Sequence, residues 1–261
     1  MKKTNSSFSR RTLLVRGMQL MGATLLSACA NPFDRLHQDR RVLGLLETVE
    51  EWNRRTLRFL TGKNSLAQEF TEADISRFFK PNGNPPPLTM EYIVDALNGW
   101  PFWRLEVTGA IKTPLLLSLE DLLAMPSRTQ ITRHDCVEGW SAIAKWKGTP
   151  LAEIIKLVEP FAQARYVVFY CMDVDSRGNL YYESIDFDDA LHPQTILAYD
   201  MNDRPLPVEH GAPLRLRVER QLGYKMAKYV QRIEFATSLN GIGEGKGGYW
   251  EDRGYEWYAG I

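Results

Sequence analysis

An α+β fold, with mixed sheets and short helices, is predicted by three observations. Apolar residues alternate with period two over several short stretches, and others recur at helical spacing. The two kinds follow one another without the regular strand–helix repeat of a doubly wound parallel sheet. No Gly-rich dinucleotide fingerprint and no internal repeat is present. At 261 residues and 44% apolar, the chain is long and greasy enough for a well-buried core. Lys+Arg and Asp+Glu balance at 32 each, so no overall field draws it to nucleic acid.

Residues 1–29 have the layout of a secretory signal: Lys2 and Lys3 at the head, a short apolar stretch from Gly17, and small residues before Cys29. The stretch is too short to span a bilayer. Arg10-Arg11 after Ser9 resembles a twin-arginine (Tat) signal, the route of proteins exported already folded. Leu26-Ser27-Ala28-Cys29 resembles a lipobox, making Cys29 a candidate lipid anchor of a periplasmic or envelope lipoprotein. Residues 30–80 are expected to be a helical extension. Val42, Leu45, Leu46, Val49, Trp52 and Leu57 recur at helical spacing between Asp34 and Leu60, and Phe70 to Lys80 reads as a second, shorter helix. Pro81 to Pro87 stops helix and makes an extended loop, so the main domain is placed at residues 81–261.

Within it, Arg104 to Thr108 alternates as a strand ended by Gly109. Ser118 to Ala124 is a short helix with Ser118 as its cap and Pro126 as its stop. Thr129 to Cys136 is a candidate strand, Pro150 to Val158 a helix with proline at its start, and Tyr166 to Cys171 and Leu214 to Glu219 buried strands. The glycine-rich aromatic tail from Gly247 to Tyr258 is expected to pack against the core, with framing of a substrate funnel as the other reading.

Of the three cysteines, Cys136 and Cys171 remain once Cys29 is set aside. They admit a disulfide, a thiol nucleophile with His134 as base, or a thiolate ligand at Cys136 for a soft metal. Spacing alone does not choose, and no zinc pattern is present.

His134-Asp135-Cys136-Val137-Glu138-Gly139-Trp140-Ser141 and Trp146-Lys147-Gly148-Thr149-Pro150 resemble the molybdenum-ligand segment of the sulfite oxidase superfamily. Tyr181 to Ile185, Leu197 to Asn202, His210-Gly211-Ala212-Pro213-Leu214-Arg215 and Gly223 to Tyr229 follow in the family's order, so that the resemblance spans Phe79 to Ile261. It implies a sulfite-oxidase-type fold and an oxidoreductase using molybdenum on molybdopterin, with Cys136 as metal ligand and catalytic centre. It implies cofactor contacts from Asn82, Cys171, His210, Arg215, Gly223, Lys225, Met226, Ala227 and Lys228, and a substrate-side tyrosine, Tyr181, as proton donor. The chemistry agrees: a dithiolene cofactor leaves one sulfur position for a protein thiolate, and a phosphate wants cations and free backbone N–H groups, which the Gly223–Lys228 stretch offers.

Sulfite oxidases hold their anion with arginines, whereas Val137-Glu138-Gly139-Trp140 follows the cysteine here. The Cys-Val-Glu-x-Trp-Ser pattern is closer to the branch of periplasmic protein-methionine-sulfoxide reductase catalytic subunits. His210 resembles the sulfite oxidase version of its position instead, and Cys171 stands where the reductase branch has a hydroxyl residue. The reaction expected is oxygen-atom transfer on a small-molecule or protein-bound S-oxide or N-oxide. Sulfite oxidation and a metal-free binding lipoprotein are the alternatives. With no haem-attachment Cys-x-x-Cys-His and no second, immunoglobulin-like domain, electrons are expected from a separate redox partner, a haem membrane subunit or a soluble cytochrome.

Overall fold

The computed structural model describes residues 65–261 together with Val49, Trp52, Arg55, Thr56 and Gly62. The export signal lies outside the described residues, as does most of the Asp34–Leu60 helix, of which Val49, Trp52, Arg55 and Thr56 are helical. The chain divides into compact units at residues 1–55 and Thr56–Ile261, and the elements below belong to the second. In order they are α1 (Met90–Leu97), β1 (Leu105–Gly109), β2 (Leu115–Leu117), α2 (Leu119–Ala124), β3 (Arg128–Asp135), β4 (Ser141–Pro150), α3 (Leu151–Val158), β5 (Tyr166–Val174), β6 (Leu180–Asp186), α4 (Phe187–Ala190), β7 (Ile196–Met201), β8 (Arg204–Pro205), β9 (Arg215–Arg217) and β10 (Val230–Ala236).

The strands form two five-stranded sheets. One runs β2-β1-β10-β5-β6, with β1 and β10 parallel and the other pairs antiparallel. The other runs β3-β4-β7-β8, with β9 also on β7. The mixed sheets with few short helices are those expected. Alternation makes β1: Leu105 and Val107 are inside, Glu106 outside. The Ser118 hydroxyl accepts from the Asp121 N–H while the Asp121 carboxylate reaches back, a capping box that starts α2. In α3 the residues Leu151, Ile154, Ile155 and Val158 are all buried, at about 2 kcal/mol each. They join Leu105, Val107, Val167, Phe169, Ile233 and Phe235 in the main core.

Two expectations change. Phe70 to Lys80 is not a helix; only Glu72–Asp74 makes a 3-10 turn. Its backbone is spent elsewhere: the Phe70 N–H donates to the Ile131 carbonyl (2.8 Å) and Ser76 to Ile143 (3.0 Å), tying the segment to β3 and β4. Phe79, at its end, is buried in a smaller core cluster with Ala144, Trp146 and Met201. The strand expected over Leu214–Glu219 shrinks to Arg215–Arg217, both of whose arginines are buried. Among the described residues no helix is long and apolar enough to cross a membrane.

Candidate active site

Cys136 sits where β3 has just ended. Asp135 pairs with Ser141 across the hairpin, and the intervening loop closes on itself: Cys136 N–H to the Trp140 carbonyl (2.9 Å), Gly139 N–H to the Cys136 carbonyl (3.0 Å). Gly139 has φ +83°, which its residue type permits without strain. A rigid ladder thus presents the thiol at a tip. The cavity there, about 560 Å³ with its open mouth, is lined by Asn82, Gly83 and Asn84 of the Pro-rich loop, by Asp173, and by Tyr181. Tyr224, Met226, Lys228 and Trp250 complete the wall beside Val137, Glu138 and Gly223.

Cys136 and Cys171 are both free thiols, so the disulfide reading falls. Burial pushes the Cys136 thiol up, and the Glu138 N–H, Lys80 and Asn82 pull the other way. Glu138 at the mouth accepts from Lys80 (2.8 Å) and from the Trp140 indole (2.9 Å), so its charge is largely met.

His134 is fully buried behind the loop. Its Nδ1 faces Arg217 Nη1 (3.1 Å) and Met226 Sδ (3.3 Å), its Nε2 faces Asn82 (3.4 Å). Burial and the Arg217 charge hold it well below the usual histidine range, hence neutral. Both ring nitrogens are engaged away from Cys136, and the thiol–histidine hydrolase reading loses its base. Arg217 in turn grips Glu219 with two bonds (2.9 and 2.7 Å), and Gln130 donates to the same carboxylate (2.9 Å). Sequence reasoning missed this chain, though two arginines alternating with leucine on an apolar strand were its signal.

A second set of polar groups lies around Phe79, whose ring contacts those of His134, Trp140, Trp146 and His210. Arg215 donates to the His210 carbonyl (2.9 Å) and lies over the Trp146 ring. Burial pushes His210 down to about 4 and Arg215 down to about 9. Arg215 Nε and Nη2, His210 Nδ1, Asn82 Oδ1, Asn84 Nδ2 and Asp173 Oδ1 are buried without a partner among the described residues. Such unmet groups are costly unless a ligand meets them.

The remaining expected contacts separate. Gly223 stands against His134: a Cβ there would lie 2.3 Å from the imidazole. Met226 and Lys228 line the cavity, with Lys228 Nζ on the Asn84 carbonyl (3.0 Å), and Ala227 is buried behind them. Lys225 is spent elsewhere. Fully buried, it donates to Glu183 and to Glu251 (2.5 Å for the latter), and it is not among the residues that line the cavity. Cys171 faces a wide groove beneath α1, and two residues on it is Asp173 that enters the cavity. Tyr181 lines the cavity, but its hydroxyl donates to the Tyr224 carbonyl (2.5 Å) and its ring stacks on Tyr249 (5.2 Å). The tail both packs, through Tyr249, and frames the cavity, through Trp250. Among the described residues no group of three or more His, Cys, Asp or Glu is placed to hold a metal. A metal on Cys136 therefore takes its other ligands from elsewhere, and the unmet polar atoms beneath fit a polar cofactor that would bring them.

Residues 92–240 match the oxidoreductase molybdopterin binding domain. The chain is 38% identical over 252 residues to a putative protein-methionine-sulfoxide reductase subunit, YedZ1, of Azospira oryzae, covering 97% of this chain and 88% of that one. It is 38% identical over 144 residues to the protein-methionine-sulfoxide reductase catalytic subunit MsrP of Ralstonia nicotianae, covering 51% of this chain and 43% of that one. The MsrP of Campylobacter jejuni is 35% identical over 144 residues, at 51% and 48% coverage. The chain thus spans less than half the length of these two MsrP proteins. Among solved structures, the sulfane dehydrogenase SoxCD of Paracoccus pantotrophus aligns with TM-score 0.47 and 22% identity over 52% of this chain and 38% of that one.

Proposed function

Because the chain belongs to the family of oxidoreductases with a molybdopterin-binding domain, we propose that it reduces an S-oxide or N-oxide by oxygen-atom transfer. The fold is the family's, and the cofactor is molybdopterin with its molybdenum. Bound, that group supplies a metal that cycles by two electrons. Cys136 supplies its protein sulfur, giving up the thiol proton on ligation. Asn82, His210, Arg215 and the Gly223–Lys228 main chain meet the pterin, and Lys228 rather than Lys225 meets the phosphate.

One observation carries the reductive reading: the surroundings of the Cys136 thiol. Val137, Tyr181, Tyr224, Met226 and Trp250 give the cavity apolar walls, suited to the arms of a neutral sulfoxide. Arg215 and Arg217 are buried against Trp146, and among the described residues no arginine lines the cavity to hold an anion such as sulfite. The names of the relatives point the same way. On this reading the substrate is a small molecule or protein-bound methionine sulfoxide. Electrons come from a separate haem membrane subunit or soluble cytochrome. Export is by the twin-arginine route, with Cys29 as lipid anchor in the envelope.

The test is a substrate panel with reduced viologen as electron donor: methionine sulfoxide, dimethyl sulfoxide and trimethylamine N-oxide. Viologen oxidation with at least one of them supports the proposal. Sulfite-dependent reduction of an electron acceptor, with no reaction on the oxides, contradicts it.

A further inference from the structure

We propose that Asp173 is the proton donor of this site, delivering a proton to the oxygen that leaves the substrate; the inference rests on the oxygen-atom-transfer reading above. Asp173 is near the end of β5, where pairing with β6 loses register between Tyr170 and Val174. The strand's alternation carries on through it, so that Asp173 points inward with Phe169 and Cys171, at 2% exposure. It lines the same cavity as Cys136.

A carboxylate so placed needs partners, and this one is only partly supplied. Its Oδ1 is unpartnered among the described residues, as is the Asn84 amide nitrogen nearby. The neighbouring cation, Lys228, aims its ammonium at the carbonyls of Asn84 (3.0 Å) and Glu209 (3.4 Å) rather than at the carboxylate. Lys228 and the Asn84 side chain favour the charged form; burial opposes it. Cys171 on the same strand, Tyr92 on α1, Tyr181 on β6 and Tyr229 before β10 also face it, all acidic groups that burial keeps protonated. Burial wins, and Asp173 is pushed up to about 6. A neutral carboxyl poised near the working pH is the form a general acid needs. The hydroxyl of Tyr181, by contrast, is committed to the Tyr224 carbonyl.

The reaction balances as one sulfoxide, two electrons and two protons giving one sulfide and one water. The S–O bond breaks, sulfur gains the two electrons, and two O–H bonds form. Asp173 gives one proton and recovers it from solvent; the second comes from solvent water. The electrons come from a low-potential one-electron donor, reduced viologen in the assay.

The test uses the molybdenum-loaded enzyme and its D173N and D173E variants, each measured for metal content, melting temperature, infrared carbonyl absorption and kcat against pH. In the wild type, kcat is expected to fall above about pH 6, and a protonated-carboxyl band to fade over the same range. D173N should keep metal and melting temperature, lose that band, lose about 100-fold in kcat, and show no limb near pH 6. D173E should recover the limb. Unchanged kcat and limb in D173N, or loss of molybdenum in step with activity, would overturn the assignment and leave the reaction standing. Loaded wild type that reduces no oxide at any pH would overturn both.

Discussion

Replacing Lys225 by methionine separates a structural lysine from a cofactor lysine. Lys225, Glu183 and Glu251 are each at most 1% exposed, and one ammonium serves two carboxylates. Removing one partner of a buried ion pair costs about 3–5 kcal/mol, because the charge left behind is unmet. For a unit of this size that is a fall in Tm of about 6–20 °C. The loss should depend on pH. Burial already pushes Glu183 well above its usual range, and losing Lys225 removes the charge that pulls it back down. A folded-state pKa above the unfolded value is penalised as pH rises past the unfolded value, about 4.3 for glutamate, so K225M should be less stable at pH 8 than at pH 5 relative to wild type. Lys228→Met makes the contrast. Burial and the Arg215 charge push Lys228 down to about 8, so removing its charge relieves a burial penalty. K228M should keep or raise Tm and lose molybdenum. Calorimetry at the two pH values, with metal analysis of both variants, is the assay. K225M melting within 2 °C of wild type while losing the cofactor would instead make Lys225 the phosphate ligand.

Two further predictions concern the backbone around the thiol. Gly223→Ala would put a Cβ 2.3 Å from the His134 ring, which Phe79, Trp140 and Met226 hold in place. It should cost about 1–3 kcal/mol by overpacking and lower the molybdenum content, read by thermal melting and metal analysis. Gly139→Ala meets nothing within 4 Å but forces φ +83° on alanine. It should cost about 1 kcal/mol through strain alone while molybdenum binding survives, measured by denaturant unfolding of the loaded protein.

Alternation and capping made β1, β3, β5, α2 and α3 readable, because each obeys one period and one stop signal. Phe70 to Lys80 misled for a reason of competition: its apolar spacing suits a helix, but the edges of β3 and β4 offer its backbone other partners. α1 was missed because its faces are inverted, with Asp95 buried and Val94 and Leu97 exposed. In the site, Cys136, Asn82, Met226 and Lys228 could be found by resemblance, since each belongs to a short local motif. The fate of Lys225 could not. Its partners, Glu183 and Glu251, are 42 and 26 residues away in sequence, and only the fold brings them together. Asp173 was missed because the strand was read as ending at Cys171, whereas its alternation runs one step further and buries the aspartate as well.

The proposed function stands on a molybdenum cofactor held by Cys136. Elemental analysis of the protein purified from a host that makes molybdopterin, beside its Cys136→Ala variant, tests it directly. About one molybdenum per chain is expected in the wild type and loss of most of it in the variant, with the melting behaviour of the apo-proteins alike. Wild type without molybdenum, or a variant that retains it in full, would contradict it.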